Sequence, residues 1–188
     1  MKSAEFELPI KEIGETQWQS KLENYLKNHS IDFLGIEKAL VEQYENEKNI
    51  SLPEQLKEYL IAFGATESDD FMYGLMPLPQ FKLLFAANIS FISFNFKMYD
   101  INTMIHFAQS PGNDPLCFDK DSGEIYLFSH DPIKKARVFA DFNQYLLFQI
   151  IETEKLLGDN LSESREQELK SAYLSGEGID YKFRDLKL

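Results

Sequence analysis

Cysteine, tryptophan and histidine are scarce in this chain of 188 residues: one, one and three respectively. A single cysteine, Cys117, excludes an intramolecular disulfide and any cysteine-built zinc cluster. It stands in the apolar run Leu116-Cys117-Phe118, where an inert buried thiol is expected rather than a nucleophile. The histidines, His29, His106 and His130, are far apart, and none has HExxH or paired metal-ligand spacing. GxSxG, phosphate-binding P-loop and GxGxxG patterns are absent. No residue set demands a particular chemistry, so the expectation is a protein that is not an enzyme and needs no cofactor or metal. No window approaches the ~20 apolar residues of a membrane span. The stretch from Met1 to Glu15 has no apolar signal region, which predicts a cytoplasmic protein with no membrane partner. Basic residues are also in short supply, 19 against 31 acidic, for a formal charge of -12. Neutralising phosphates takes clustered Lys and Arg, so direct nucleic-acid binding is not expected. The same excess favours encounter with a basic protein partner, or it serves only to keep the chain in solution. Charge alone leaves both open.

What is abundant is material for a core. The hydrophobic fraction is 44%, with 16 Phe and 9 Tyr, which argues against disorder. A chain of this length buries roughly 70% of its unfolded surface as one domain without covalent staples. The stretch Gly112 to His130, GNDPLCFDKDSGEIYLFSH, is its organising element. Two β-prone runs, Leu116–Phe118 and Glu124–Phe128, flank a polar loop ending in Gly123, as in a hairpin closed by a residue in the left-handed conformation.

Helical spacing predicts one helix from a Thr16 cap through Trp18, Leu22, Tyr25 and Leu26. A second is predicted over Gly35–Glu47 with Ile36, Leu40 and Tyr44 inward. Ser51-Leu52-Pro53-Glu54 has capping-box spacing and opens a third, with Leu56, Tyr59, Leu60 and Phe63 on one stripe and Gly64 as its stop. Phe71–Pro79 reads as an apolar strand end or edge, and Lys82–Ala87 as either strand or helix. Ile89–Tyr99 alternates like a half-buried strand, with Phe94, Phe96 and Met98 on one side, and Thr103–Ala108 is another strand. Pro132 is expected to break the sheet. A long helix from Ala140-Asp141 to Leu157, with Phe142, Leu146 and Ile150 inward, should cover the sheet and stop at Gly158. Ser162 or Ser164 caps a last, charged helix through Leu169 and Tyr173, and Gly176–Leu188 has the spacing of an extended segment. Helices, then strands, then helices describe an α+β domain.

Among candidate sites, Asp119-Lys120-Asp121-Ser122-Gly123-Glu124 has a superficial likeness to a calcium loop. Its sixth residue is Glu124 rather than Gly and its twelfth is His130 rather than Glu, so a plain hairpin turn is the better reading. Asp114 before Pro115 reads as a turn residue that can approach His130 in space. A hydrolase built on Asp114, His130 and a metal is the enzymatic alternative.

Two stretches in order resemble the SMI1/KNR4 (SUKH) superfamily. The first is Ile36-Glu37, then Leu52-Pro53-Glu54-Gln55-Leu56-Lys57-Glu58-Tyr59-Leu60, then Gly64. The second is Gly112-Asn113-Asp114-Pro115-Leu116-Cys117-Phe118-Asp119, with Ser122-Gly123-Glu124-Ile125-Tyr126 and His130-Asp131 after it, followed by a closing helix from Val138 to Leu146. The resemblance implies a single α+β domain whose mixed or antiparallel β-sheet is flanked by N-terminal helices and a long C-terminal helix. Its core would span about residues 33–157, with a helical extension at 1–32 and another extension at 158–188. It also implies a binding module, in bacteria an immunity protein that neutralises a toxin, often a nuclease. The alternative is a regulatory or scaffold domain with an endogenous partner. An acidic inhibitor suits a basic toxin domain, and loops would present Asp69, Asp70, Asp114, Asp119 and Asp121 as its contacts.

Overall fold

The computed structural model describes residues 7–10, 16–66, 71–72, 74–158 and 161–174. Helix α1 (Trp18–Asn28) comes first, then strand β1 (Phe33–Leu34), α2 (Lys38–Lys48), α3 (Glu54–Ala62) and β2 (Ala65–Thr66), which pairs antiparallel with β1. Strand β3 (Lys82–Leu83) runs into a 3-10 turn at Leu84–Ala87 and two short helices, α4 (Ser90–Asn95) and α5 (Met98–Ile101). Strands β4 (Met104–Gln109), β5 (Pro115–Asp119), β6 (Ile125–His130) and β7 (Ile133–Phe139) follow, and helices α6 (Phe142–Leu157) and α7 (Glu163–Leu174) complete the described chain. β3 to β7 form one five-stranded sheet in sequence order, antiparallel throughout. The architecture is α+β, as the sequence predicts.

Successive strand residues point to opposite faces, and this alternation builds two cores. Ile105, Phe107, Leu116, Phe118, Ile125 and Leu127 belong to the main core. It includes Leu56, Tyr59, Leu60 and Phe63 of α3 and Phe142, Tyr145, Leu146 and Ile150 of α6. Tyr145 stacks edge-on to both Phe107 and Phe139 at 5.5 Å, and Tyr59 lies 5.5 Å from Phe142. Each such side chain contributes about 1.5–3 kcal/mol by burial. On the other face Met104, Cys117 and Phe128 pack with Leu84, Ile92 and Ile101. Residues 84–101 therefore form a small cap over the face that α3 and α6 leave open.

Several expectations hold at residue level. Gly64 ends α3 with φ +60, and an added Cβ would stand 2.0 Å from the Leu34 carbonyl oxygen, so only glycine lets β1 cross there. Gly123 is left-handed in the β5–β6 turn. Asp141 caps α6, accepting the Gln144 N–H at 2.9 Å, and Ser162 accepts the Arg165 N–H at the start of α7. Gly158 follows the last residue of α6.

Others are corrected. Thr16 does not cap α1; the preceding residue is Gln17, left-handed and without a side-chain cap bond. Ser51 does not cap α3 either: the residue before the helix is Pro53, without a side-chain cap bond, and the Glu45 carboxylate of α2 takes the nearby Leu52 N–H at 2.7 Å. α2 begins at Lys38, two residues past Ile36, and buries Val41 and Tyr44 while turning Leu40 outward. Lys82–Ala87 is strand and then 3-10 turn, and Leu75 contributes only an isolated bridge to Ala108. Ile89–Tyr99 is not a strand. Asn95 Nδ2 donates to the Phe91 carbonyl and Ser93 Oγ to the Ile89 carbonyl inside α4, while Ile92 turns in and Phe94 out. Pro132 occupies the β6–β7 turn and the sheet continues beyond it. The missed strand, β7, is an edge carrying Lys134, Lys135 and Arg137, charges that discourage pairing with another chain and hide its alternation. The expected extended segment at 176–188 lies outside the described residues.

Helix α6 is met by both α1 and α7. The buried Glu154 carboxylate of α6 accepts the Tyr25 hydroxyl at 3.1 Å and lies 3.2 Å from His29 Nε2, both reached from α1. α7 packs on α6 through buried Leu169 and through Lys170, which pairs with Glu152 and Glu166 and lies over the Phe148 ring. No described helix is long and apolar enough to cross a membrane.

Candidate protein-binding surface

The five carboxylates singled out from the sequence do not form one patch. Asp69 and Asp70 lie outside the described residues. Asp114 and Asp119 stand at opposite ends of β5, about 16 Å apart at ~3.3 Å per residue.

At one end, Asp114 is buried. Its backbone is knitted into the β4–β5 turn: Ser110 N donates to the Asp114 carbonyl at 2.8 Å, and Asp114 N donates to Ser110 Oγ at 3.1 Å. Its Oδ1 accepts the His130 backbone N–H at 3.0 Å and lies 2.5 Å from His130 Nδ1. The structure thus brings together the Asp114–His130 pair that the sequence suggested. The carboxylate holds the imidazolium form and raises the His130 pKa, while the ring stays exposed against Phe91. Among the described residues no group of three or more His, Cys, Asp or Glu side chains is placed to hold a metal ion.

At the other end, Asp119 shapes the β5–β6 turn. Its Oδ1 accepts the Asp121 N–H at 2.8 Å, and its Oδ2 accepts the Thr103 hydroxyl at 3.2 Å. Asp121 is exposed at the tip. Behind it Glu124 accepts the Tyr126 hydroxyl and pairs with Arg137. The Tyr126 bond first, and then Arg137, hold its carboxyl below the usual range against the effect of burial. Tyr126 is pushed up to about 12 by burial and by Glu124.

The cap joins this turn. Lys120 N donates to the Thr103 carbonyl, just past α5. Lys135 of β7 donates to the Asp100 carbonyl at 3.1 Å with its ammonium 4.5 Å from the Tyr126 ring centre. The cap turns three large side chains to solvent: Phe94 at 87% exposure, Tyr99 at 70% and Met98 at 58%. Single exposed apolar residues are ordinary, but three within six positions of one cap segment have the character of a surface that binds other proteins. Sequence reasoning missed it by assigning Phe94 and Met98 to the buried side of a strand. The available signal was the helical recurrence of Ile89, Ile92 and Phe96, which leaves Phe94 outside.

Charge is unevenly spread. Residues 81–139, which hold the sheet, the cap and the acidic turn, carry six acidic and six basic side chains, so none of the -12 resides there. The acidic excess belongs to the segments on either side, including Glu67, Asp69 and Asp70 with no Lys or Arg between residues 63 and 80.

Two interior histidine and cysteine groups are inert. His106 is buried in β4 opposite Cys117, and burial and Lys82 lower its pKa to about 4, leaving it neutral. Burial pushes the Cys117 thiol well up.

Comparison with curated proteins returns no match. The SMI1 / KNR4 family (SUKH-1) model matches residues 35–147, from the approach to α2 into the first half of α6 and including the cap and the β5–β6 turn. Membership in such a family supports a protein–protein interaction role. With that match covering more than half of its length, the chain belongs to the SMI1/KNR4 (SUKH-1) family.

Proposed function

We infer that the protein is an immunity protein, one that binds a basic toxin domain, such as a nuclease, and blocks its active site by bulk and charge. The observation that carries the reading is the set of outward side chains Phe94, Met98 and Tyr99 on the cap, which Thr103 joins to the Asp119–Lys120 turn, in a member of a binding family. Family membership supports interaction, and the -12 charge favours rapid encounter with a basic partner. In this reading Asp121 and Asp119 form the acidic rim of the contact, Asp69 and Asp70 contribute from the segment before the sheet, and Asp114 acts from inside by holding the β6–β7 turn. No catalysis, cofactor or metal is involved, and the site of action is the cytoplasm.

The balanced charge of residues 81–139 favours a second reading, a regulatory or scaffold domain whose endogenous partner need not be basic. Co-expression separates the two. Rescue of cells from a toxin encoded beside this gene, lost in a Phe94→Glu/Tyr99→Glu/Asp121→Lys triple variant that still folds, is the expected result. Undiminished rescue by the triple variant refutes the surface. Failure to rescue from any neighbouring toxin, with stoichiometric recovery of a host protein from the native cell, transfers the function to the second reading.

A further inference from the structure

We propose that the cap is also a self-association surface, covered by a second copy of this chain in a two-fold dimer. A two-fold contact sets one patch against itself, so the patch must be apolar at its centre and carry both charge signs around it. Residues 90–101 meet both conditions. Phe94, Met98 and Tyr99 point outward, and the only charges in the segment are one Lys97 and one Asp100. The Lys97 ammonium lies 5.8 Å from the Tyr99 ring centre, which gives the aromatic side chains a cationic edge of their own.

Electrostatics selects this face over the others. Two copies at -12 repel each other, and that repulsion is strongest where the acidic excess lies. The stretch 81–139 sums to zero, so copies approach through it at least cost. Leu40, exposed on α2, has a less suitable setting, with Glu37 one turn before it and Glu47 two turns after it. The cap is also fixed in place for docking, since Ile92 and Ile101 anchor it to the sheet and Lys135 ties the Asp100 backbone to β7. A preformed patch gives up little conformational freedom on binding. The pairing does not rest on the toxin reading; because both use the same side chains, a dimer and a toxin complex exclude each other.

The test needs only the chain itself. Sedimentation velocity across a concentration series is expected to show a monomer–dimer equilibrium. Phe94→Glu and Tyr99→Glu each appear twice in a dimer and should raise its dissociation constant by roughly tenfold or more. Because long-range repulsion opposes the pairing, raising salt from about 0.01 M to about 0.1 M, which shortens the screening length from about 30 Å to about 10 Å, should strengthen it. Cysteine cross-linking gives an independent reading, since the native Cys117 is buried. Phe94→Cys should be captured as a dimer by a short bis-maleimide and Leu40→Cys should not. A chain that stays monomeric at every concentration overturns the proposal and leaves the patch to a different protein. A dimer indifferent to the two glutamates, or equal capture at positions 94 and 40, overturns it as well.

Discussion

Replacing Asp114 tests whether the β5 end of the sheet is held as the geometry indicates. Its carboxylate, 4% exposed, accepts the His130 backbone N–H and approaches the His130 ring. In Asp114→Ala the backbone donor loses an ionised acceptor inside the protein. A hydrogen bond to a charged group is worth about 1.5–3 kcal/mol, so the loss should be about 2 kcal/mol. For a chain of this size that is a fall in melting temperature of roughly 4–8 °C. Asp114→Asn keeps an oxygen in place and should lose less. Titration of His130 by NMR supplies the second measurement. Its pKa is raised in the native protein by Asp114 and should return toward the ordinary ~6.5 in either variant. The sign of the pH dependence follows. A raised folded-state pKa gives a stabilisation fully present below about 6.5 and lost as pH climbs through the folded value. Urea unfolding should therefore separate wild type from Asp114→Asn most widely near pH 5, with the gap closing above neutrality. A variant within about 0.5 kcal/mol of wild type at both ends of that range, with an unmoved His130 titration, would show that the pairing holds nothing.

Gly64→Ala should destabilise strongly, by at least about 2 kcal/mol, because the left-handed backbone and the Leu34 carbonyl oxygen 2.0 Å from the new Cβ both oppose it; denaturant unfolding reads the loss. Tyr145→Phe should be neutral or slightly stabilising in the same assay, since this fully buried hydroxyl has no hydrogen-bond partner among the described residues. Glu166 would be raised by burial, but the Lys170 and Lys155 ammoniums more than reverse this and hold it below the usual range. Its contribution is present above about pH 4.5 and disappears as acid protonates it, so amide exchange in α7 should accelerate below pH 4 while the β4–β6 amides stay protected. Cys117 should resist thiol reagents in the native protein and react at once in denaturant.

The parts of the fold legible in the sequence were those where burial, period and a stop signal agree. α3 shows Leu56, Tyr59 and Leu60 on one face with Gly64 behind them, and the β5–β6 hairpin shows two apolar runs about Gly123. α6 announces itself by Asp141 and a wide apolar face. Illegible elements were those where composition and environment disagree. Residues 89–99 carry strand-forming side chains but bury only one side of a short helical turn against Met104 and Phe128, and their remaining aromatics face solvent. β7 carries cations because it is an edge, so it lacks the alternation of an interior strand. The same mismatch explains the candidate site. Loop position identified Asp114 and Asp119 as turn-forming residues, yet it could not tell that one faces inward and that the other spends both oxygens on the turn. The aromatic patch was hidden in the misassigned segment.

Tyr25 and Glu154 touch across 129 positions, so the polar seat of α1 is supplied by residues made long after it. At about 5–20 residues per second, α1 waits many seconds after leaving the ribosome for the carboxylate it binds. A chain shortened to the stretch shared with its relatives would stop midway through α6, deleting Ile150, Ile151 and Glu154 together. The packed core therefore reaches beyond the stretch by which kinship is recognised.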